Sequence, residues 1–573
     1  MKRINRGLKA IRLIIVMAFA MLTPIIAFAD DEISAFESAN DAVKHMKVGW
    51  NLGNTLDAHN GQRVTDPKVS EIMWGQPVTT PELMQMMKEV GFGAIRVPVT
   101  WYPHMDGNNK VDAAWMKRVH EIVDYVILTG MYCILNVHHD TGADSDNTKS
   151  WLKADQTVYN QQKARYEYLW QQIAEEFKDY GERLLFESYN EMLDTYNSWC
   201  FASFAAPGQY NTSVATSAYN AINSYAQSFV NTVRATGGNN AKRNLIVNTY
   251  GACNGAGTWN SHLQDPLKQM KLPTDITEGH IIFQVHAYPN VVSLSSAKDE
   301  VNQIFRDLNT YLVQKGAPVV IGEWGTSNGN DYIERRSNVL SFAKYFVEQA
   351  KAYNYAPFFW MGLSDGTARS FPAFNQADLV LAILQAYYGS NYNPRLLTED
   401  DFEITSYLVN YNQQWSELNL SSNDISLSTY KAIRLELGET PNSGYYNIKV
   451  YGEKDGKEQS SAVSSQTTTL QFNRNTLGTK SRRITLQYMK TGNSTLNVKK
   501  AYLIKNDGTE IESRLSPFWG CTMEPQSSKK PSGIVTTTTN TKKDGAIYNL
   551  SGQRVTNPVR GIYIKDGKKY YVR

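Results

Sequence analysis

Between about residues 40 and 390 the chain alternates short apolar runs with longer amphipathic stretches. Eight runs have strand character: Val48–Thr55, Ala94–Trp101, Tyr132–Asp140, Leu184–Glu191, Asn244–Gly251, Ile281–Pro289, Pro318–Gly325 and Ala356–Gly362. They are rich in Val, Ile and Phe, and most are apolar on both faces in their first half. That is the pattern of strands covered on both sides in a parallel sheet. Helical spacing fills the gaps, over Pro81–Val90, Ala114–Thr129, Gln161–Tyr180 and Tyr332–Tyr353. The first of these opens with Thr80 and Pro81 and stops before Gly91, the residue order of a helix start and stop. Eight strand–helix units predict an α/β fold, a (β/α)8 TIM barrel with some long loops.

The texture changes near Pro394. Ala432-Ile433-Arg434-Leu435-Glu436-Leu437 and Arg483-Ile484-Thr485-Leu486-Gln487-Tyr488 alternate apolar and polar positions. Asn442-Ser443-Gly444 and Asn506-Asp507-Gly508 are turn signals between such runs, so an antiparallel β-sandwich domain is predicted. Gln526 to Lys543 reads as a polar linker with a threonine run from Thr536 to Thr539. Short strands return at the end, in Ile547-Tyr548-Asn549-Leu550, Gly561-Ile562-Tyr563-Ile564 and Lys569-Tyr570-Tyr571-Val572. The expected division is therefore 1–29 export signal, 30–390 barrel, 391–525 sandwich, 526–543 linker and 544–573 a short β-rich C-terminal tail.

Composition alters this picture in three ways. A formal charge of +3 over 573 residues gives no reason to expect a nucleic-acid partner. Lys2, Arg3, Arg6, Lys9 and Arg12 precede an apolar stretch from Leu13 to Phe28, and Ala27-Phe28-Ala29 is a small-x-small cleavage site. This reads as a secretory signal, with a membrane anchor as the rival. The chain is expected to be secreted or associated with the cell surface or outer membrane, and to be a monomer. Only four cysteines occur, Cys133, Cys200, Cys253 and Cys521, in no zinc or disulfide-framework spacing. Cys133 fits a buried thiol, and whether Cys200 and Cys253 pair stays open.

Chemistry enters at the strand ends. Leu184-Leu185-Phe186-Glu187-Ser188-Tyr189-Asn190-Glu191 and Pro318-Val319-Val320-Ile321-Gly322-Glu323-Trp324 each deliver a glutamate at the C-terminal end of an apolar run. In a parallel barrel that end carries the reactive groups. A pair of carboxylates fits a retaining glycosidase, one protonating the leaving oxygen and one attacking the anomeric carbon, with the two carboxyls about 5–5.5 Å apart. The neighbouring strand ends add Trp50, Asn51, Arg96, His138, His139, Asn190, His286, Tyr288, Trp324 and Trp360. A lone buried Arg or His is more often a satisfied structural group. Polar or aromatic groups at one rim on seven of the eight strands are hard to explain by packing. Glu191 is the expected acid/base, its pKa raised by a dry site or a like charge. Glu323 is the expected nucleophile, with Arg96 lowering its pKa and Tyr288 orienting it. His286 would position the acid or a sugar hydroxyl. Either His138 or His139, with His138 preferred, would bind sugar, and Trp360 would stack beneath it. His138, His139 and Asp140 could suggest a metal, but neighbours on a strand point to opposite faces. No metal or cofactor is expected, since two carboxylates suffice.

From Val48 to Leu363 the chain resembles glycoside hydrolase family 5. The resemblance rests on Trp50-Asn51-Leu52-Gly53-Asn54-Thr55-Leu56 and on the ordered series Arg96, His138, Asn190-Glu191, His286-Ala287-Tyr288, Glu323 and Trp360. It implies a (β/α)8 catalytic domain, the acid and nucleophile roles above, and Asn190 as the ligand of the sugar 2-OH. One departure is Met192, where many members carry Pro after Asn-Glu. The expected activity is that of a secreted endo-β-1,4-glucanase acting on β-glucan. A xyloglucan- or mannan-cleaving relative is the alternative, and a non-catalytic glycan-binding or adhesion protein a more distant one. In the sandwich, Tyr411, Trp415, Tyr446 and Trp519 are candidates either for a sugar-binding face or for core packing. The last thirty residues resemble the C-terminal sorting tails of secreted Bacteroidetes proteins, with a small β-extension as the alternative. The resemblance implies a secretion machine as a partner.

Overall fold

The computed structural model describes residues 36–527 apart from 146–148, 200–201, 203–209, 257–260, 328–334 and 423, together with the backbone of four short strands between 547 and 572. The expected export signal, most of the linker and Cys200 lie outside the described residues.

Eight parallel strands close into a barrel in sequence order. They are β1 (Gly49–Asn51), β2 (Ala94–Val97), β3 (Tyr132–Asn136), β4 (Leu184–Glu187), β5 (Leu245–Asn248), β6 (Ile281–Ala287), β7 (Val319–Trp324) and β8 (Ala356–Phe359). Each falls inside one of the eight predicted runs. The residues beyond each strand end form the rim. Helices cover the outside, and their start and stop chemistry is visible in Pro81–Val90. There Pro81 occupies the first turn and Gly91 adopts φ 116°, a conformation open to glycine.

The barrel interior is layered. Ala94, Ile134, Leu185, Ile246, Ile282, Val320 and Phe358 meet in an apolar cluster near the N-terminal ends of the strands. Helix Ala39–Met46 adds Ala42, Val43 and Met46 to that cluster. Side chains on a strand return to the same face every second residue. Two residues further along β2 to β6 the interior therefore receives Arg96, Asn136, Glu187, Asn248 and Gln284, all fully buried. The fold thus turns its own interior from apolar to polar within one residue pair per strand.

The second domain is the predicted sandwich. Its strands are β9 (Ile404–Tyr411), β10 (Glu417–Ser421), β11 (Ile425–Ser426), β12 (Tyr430–Leu437), β13 (Tyr446–Gly452), β14 (Glu458–Ala462), β15 (Thr469–Gln471), β16 (Lys480–Tyr488), β17 (Ser494–Lys505), β18 (Glu510–Ser513), β19 (Ser516–Trp519) and β20 (Cys521–Ser527). One antiparallel sheet runs β14-β13-β16-β10-β19 and the other β15-β12-β17-β9-β20. Inward residues such as Leu418, Ile448, Ile484, Val409 and Leu503 form one core. Tyr411 and Tyr446 belong to that core, whereas Trp415 and Trp519 are each 48 % exposed. The four aromatic candidates therefore divide into two packing and two surface residues. The terminal strands Ile547–Asn549, Arg554–Val555, Gly561–Lys565 and Lys568–Val572 form a small antiparallel sheet.

Close approach inside the barrel is testable at Gly49. A Cβ there would lie 2.2 Å from the buried Phe358 ring, which is hemmed into the lower layer. Gly49→Ala is expected to destabilise the chain by about 1–3 kcal/mol through overpacking. Gly181→Ala, whose Cβ would meet nothing within 4 Å, serves as the control. Thermal unfolding of both checks this, and equal midpoints would refute it.

Candidate active site

Arg96 stands at the centre of the polar layer. Its Nε and Nη2 each donate at 2.7 Å to the two oxygens of Glu187. Nη1 donates to Glu323 Oε1 at 2.8 Å and to Asn51 Oδ1 at 3.0 Å, and Nη2 also reaches Asn190 Oδ1 at 2.8 Å. One guanidinium thus binds two carboxylates and two amides, using its planar fork as such sites require. Burial disfavours its charge, but Glu187 and Glu323 outweigh that and hold its pKa above the usual guanidinium value.

Glu187 is the residue that sequence reasoning missed as a site group. It is fully buried, and besides Arg96 it accepts from Asn136 Nδ2 at 3.0 Å and Asn248 Nδ2 at 3.4 Å. Burial pushes its pKa up, yet Arg96 prevails and the net shift is downward. Asn136 and Asn248 were also missed. Asn136 further donates to His138 Nδ1 at 3.0 Å, and Asn248 to the Asn190 carbonyl at 3.1 Å. The available signal was a charged residue inside an otherwise apolar strand, which demands a buried counter-charge.

The two expected reacting groups meet over this layer. Oxygens of Glu191 and Glu323 and a nitrogen of His286 lie within 4.8 Å of one another. His286 Nδ1 and Glu191 Oε1 share a hydrogen bond of 2.8 Å, and the same nitrogen is 3.5 Å from Glu323 Oε2. Tyr288 donates its hydroxyl to Glu323 Oε2 at 2.7 Å. Glu323 therefore holds an ion pair on one oxygen and a phenol on the other. Glu191 has no direct cation contact. Burial pushes its pKa up to about 7, with the more distant Arg96 opposing and Glu187 reinforcing. Burial also drops His286 to about 4, so it is neutral near pH 7.

The remaining candidates fall into two groups. His138 and Trp360 lie with rings parallel to within 3° and centroids 5.9 Å apart. His139 does not point away from His138 as strand alternation implied. Both lie beyond the end of β3, where the chain has left the pleat, and their rings are 4.5 Å apart. His139 also neighbours His59 and Trp74, at 5.3 Å from each ring. Those two come from the loop after β1 and widen the aromatic lining. Asn51 and Trp50, by contrast, are fully buried supports. Asn51 Nδ2 donates to the Gly322 carbonyl at 2.9 Å, and Trp50 Nε1 to the Met361 carbonyl at 3.0 Å. Trp324 packs on Phe346 with ring centroids 4.5 Å apart.

Among the described residues, two side-chain groups bring metal-type donor atoms together: Asp57 with His138 and His139, and Glu191 with His286 and Glu323. Asp57 already accepts from the backbone N–H groups of Asn54 and Thr55, at 3.1 and 2.8 Å. The second group is the carboxylate pair itself, with Glu191 Oε1 and both Glu323 oxygens engaged as described. The arrangement as a whole offers a carboxyl with raised proton affinity, a second carboxyl paired with a cation, and flanking aromatic rings. That set can donate a proton and attack carbon across one bond of a sugar chain.

Comparison with known proteins agrees with this chemistry. The family model described as Cellulase (glycosyl hydrolase family 5) matches residues 57–365, more than half of the chain. Endoglucanase A of Clostridium longisporum is 32% identical over 396 residues, covering 65% of this chain and 69% of that protein. Endoglucanase B of Neocallimastix patriciarum is 33% identical over 358 residues, covering 60% and 69%. Among solved structures, a GH5-4 broad specificity endoglucanase from an uncultured bacterium is 60% identical, with a TM-score of 0.61 over 63% of this chain and 99% of that one. A glycoside hydrolase family 5 enzyme from Prevotella bryantii B14 is 40% identical, with a TM-score of 0.55 over 61% and 99%. A mutant of that enzyme is also solved in complex with a xyloglucan tetradecasaccharide.

Removing Glu187 tests the role of the buried network. Glu187→Ala leaves Arg96 short of one counter-charge and is expected to cost about 3–5 kcal/mol of stability. Glu187→Gln keeps the shape and should cost less. Catalysis of glycoside cleavage should fall in both. A Glu187→Ala protein melting with its parent would show that the pair does not hold the site.

Proposed function

Because this chain belongs to glycosyl hydrolase family 5, we propose that it is a retaining endo-β-1,4-glucanase, exported from the cell, which cleaves internal bonds of cellulose-like or mixed-linkage β-glucans. The observation that carries the stereochemical part is the approach of Glu191 and Glu323 oxygens to within 4.8 Å. Inverting enzymes hold their carboxyls about 6.5–9.5 Å apart to seat a water, and retaining enzymes about 5–5.5 Å apart.

In the first step Glu191 protonates the leaving glycosidic oxygen while Glu323 attacks the anomeric carbon. The leaving chain departs with the proton of Glu191, and a covalent glycosyl–enzyme bond forms. Arg96 and Tyr288 present the attacking carboxylate, while His286 steers the acid. Asn190, with its Oδ1 fixed by Arg96, can turn its amide N–H toward the sugar 2-OH. His138 and Trp360 frame the sugar at the cleavage position, the indole offering a flat apolar surface to the ring. In the second step Glu191, now ionised, takes a proton from water, which displaces Glu323 and restores both groups.

A broader substrate range is a second reading. It is supported by the 60% identity to the broad specificity endoglucanase and by the xyloglucan complex of the Prevotella bryantii enzyme. Export is supported by the basic, apolar and small-x-small order of residues 1–29. The tail from Ala546, ending in Lys568 to Arg573, would then address the protein to a secretion machine that leaves it free or on the cell surface. A purely glycan-binding role leaves the acid–nucleophile pair and its Arg96 support without a purpose.

Assay on soluble cellulose, mixed-linkage glucan, xyloglucan and mannan is expected to give turnover on the first two. Glu191→Gln and Glu323→Gln should each lose at least about 10²–10⁴-fold in kcat. Proton NMR of the first product should show the β-anomer, and an α-anomer would refute retention.

The pH profile follows from Glu191, whose pKa lies at about 7. It must be protonated for the first step, so kcat/KM on polysaccharide should fall as pH rises through about 7. In Glu191→Ala, assayed on an aryl glycoside whose leaving group needs no proton, that limb should vanish. A limb that persists unchanged would assign the titration to another group.

A further inference from the structure

The side-chain amide of Asn136, the last residue of β3, has both ends fixed by groups whose hydrogen-bonding roles cannot be exchanged. Its Oδ1 accepts from the Val99 backbone N–H at 3.1 Å, and a backbone N–H can only donate. Its Nδ2 faces Glu187 Oε1 at 3.0 Å. Both Glu187 oxygens take hydrogens from the Arg96 guanidinium, so this carboxylate is ionised and can only accept. Turning the amide over would set N–H against N–H and oxygen against carboxylate. Asn136 therefore stands in one orientation.

An amide nitrogen carries two hydrogens and has no lone pair to offer. One hydrogen of Asn136 Nδ2 goes to Glu187, and His138 Nδ1 lies 3.0 Å from the same nitrogen. His138 Nδ1 is therefore an acceptor. Asn136 is fully buried, and without that bond its second hydrogen would lose its partner.

The imidazole is equally constrained. His138 is 1 % exposed, and its backbone N–H donates to the Val99 carbonyl at 2.8 Å. Its ring has those of His139 and Trp360 at 4.5 and 5.9 Å. Turning the ring over would put carbon against Asn136 Nδ2. Burial holds the His138 pKa well below the usual imidazole value, so the ring is neutral and carries one hydrogen. With Nδ1 accepting, that hydrogen sits on Nε2.

Nε2 lies 4.0 Å from Glu323 Oε1, too far for a direct hydrogen bond. An oxygen placed between them can accept from Nε2–H and donate to the carboxylate, and a sugar hydroxyl does both. With the other tautomer the hydroxyl would have to spend its hydrogen on Nε2 and would have none for Glu323. The direction of hydrogen bonding is thus set from below, by the buried Glu187 acting through Asn136. The same assignment leaves His138 no lone pair for a cation, so Asp57, His138 and His139 do not offer three ligands as built.

We propose that Asn136 is a positioning residue, which holds His138 as an Nε2–H donor to a hydroxyl of the sugar bound at Glu323. The sugar as acceptor rests on the function proposed above, whereas the tautomer does not.

The test is nitrogen NMR of the full chain labelled at histidine, with the His138 resonances identified by their loss in His138→Gln. At about pH 7 the parent is expected to show a protonated Nε2 and a bare Nδ1. In Asn136→Asp the oxygen that replaces Nδ2 has at most one hydrogen, too few for both Glu187 and His138, so a hydrogen should appear on Nδ1. Turnover of mixed-linkage glucan gives a second readout. Asn136→Asp should lower kcat/KM by about two- to tenfold more in the native background than in His138→Gln. A glutamine amide reaches the Nε2 position and presents N–H whatever replaces Asn136, whereas a merely structural role would cost the same in both backgrounds. Equal losses would overturn the positioning role. A parent with its hydrogen on Nδ1 would overturn the whole proposal, and that measurement stands even if Asn136→Asp fails to fold. A chain that cleaves no glucan but shows Nε2–H would sink the glucanase and keep Asn136 as the residue that fixes His138.

Discussion

The site depends on burying one guanidinium among carboxylates without stranding any charge. Arg96 is fully buried, and an isolated ion there would be ruled out by desolvation. Glu187 makes it tolerable through a bidentate pair, and Glu323 shares the remaining edge. The network draws on β1 through Asn51, β3 through Asn136, β4 through Glu187, β5 through Asn248 and β7 through Glu323. Closure of the barrel and assembly of the site are thus one event. A strand slipped by one residue would turn its contribution into the helix layer.

This dependence explains the layering of the interior. Apolar side chains and the helix Ala39–Met46 fill one end and exclude water beneath the charged layer. The same exclusion raises the Glu191 pKa and lowers that of His286. The sandwich meets the rim where Pro517 lies against Gly75 and Gly366 and Arg514 bonds the Asp365 carbonyl.

Most of the barrel was legible because apolar runs of strand length recur at a regular spacing, and each run contains an observed strand. Glu191, Glu323, Arg96, His286 and Tyr288, which the structure brings together, were legible because each falls in the C-terminal half of its strand or just past it. Glu187 was not. It lies within the strand, where one polar letter among Leu184, Leu185 and Phe186 carries no spacing signal. Its charge called for some buried partner, and that the partner is Arg96 is a tertiary fact. His138 and His139 were misjudged because alternation holds only while the chain stays pleated. In the sandwich, aromatic identity could not separate Tyr411 from Trp519. The position of each within the sheets and at their edge decides that.

The sharing of Arg96 has an electrostatic consequence for the proposed cycle. The form that begins that cycle has Arg96 at +1, Glu187 and Glu323 each at −1 and Glu191 protonated, so the sum is −1. In the glycosyl–enzyme Glu323 is esterified and neutral while Glu191 has given up its proton, and the sum is again −1. Negative charge moves from one glutamate to its neighbour under a fixed cation. The dry layer beneath never sees a change in total charge, so turnover requires no counterion to enter or leave the barrel.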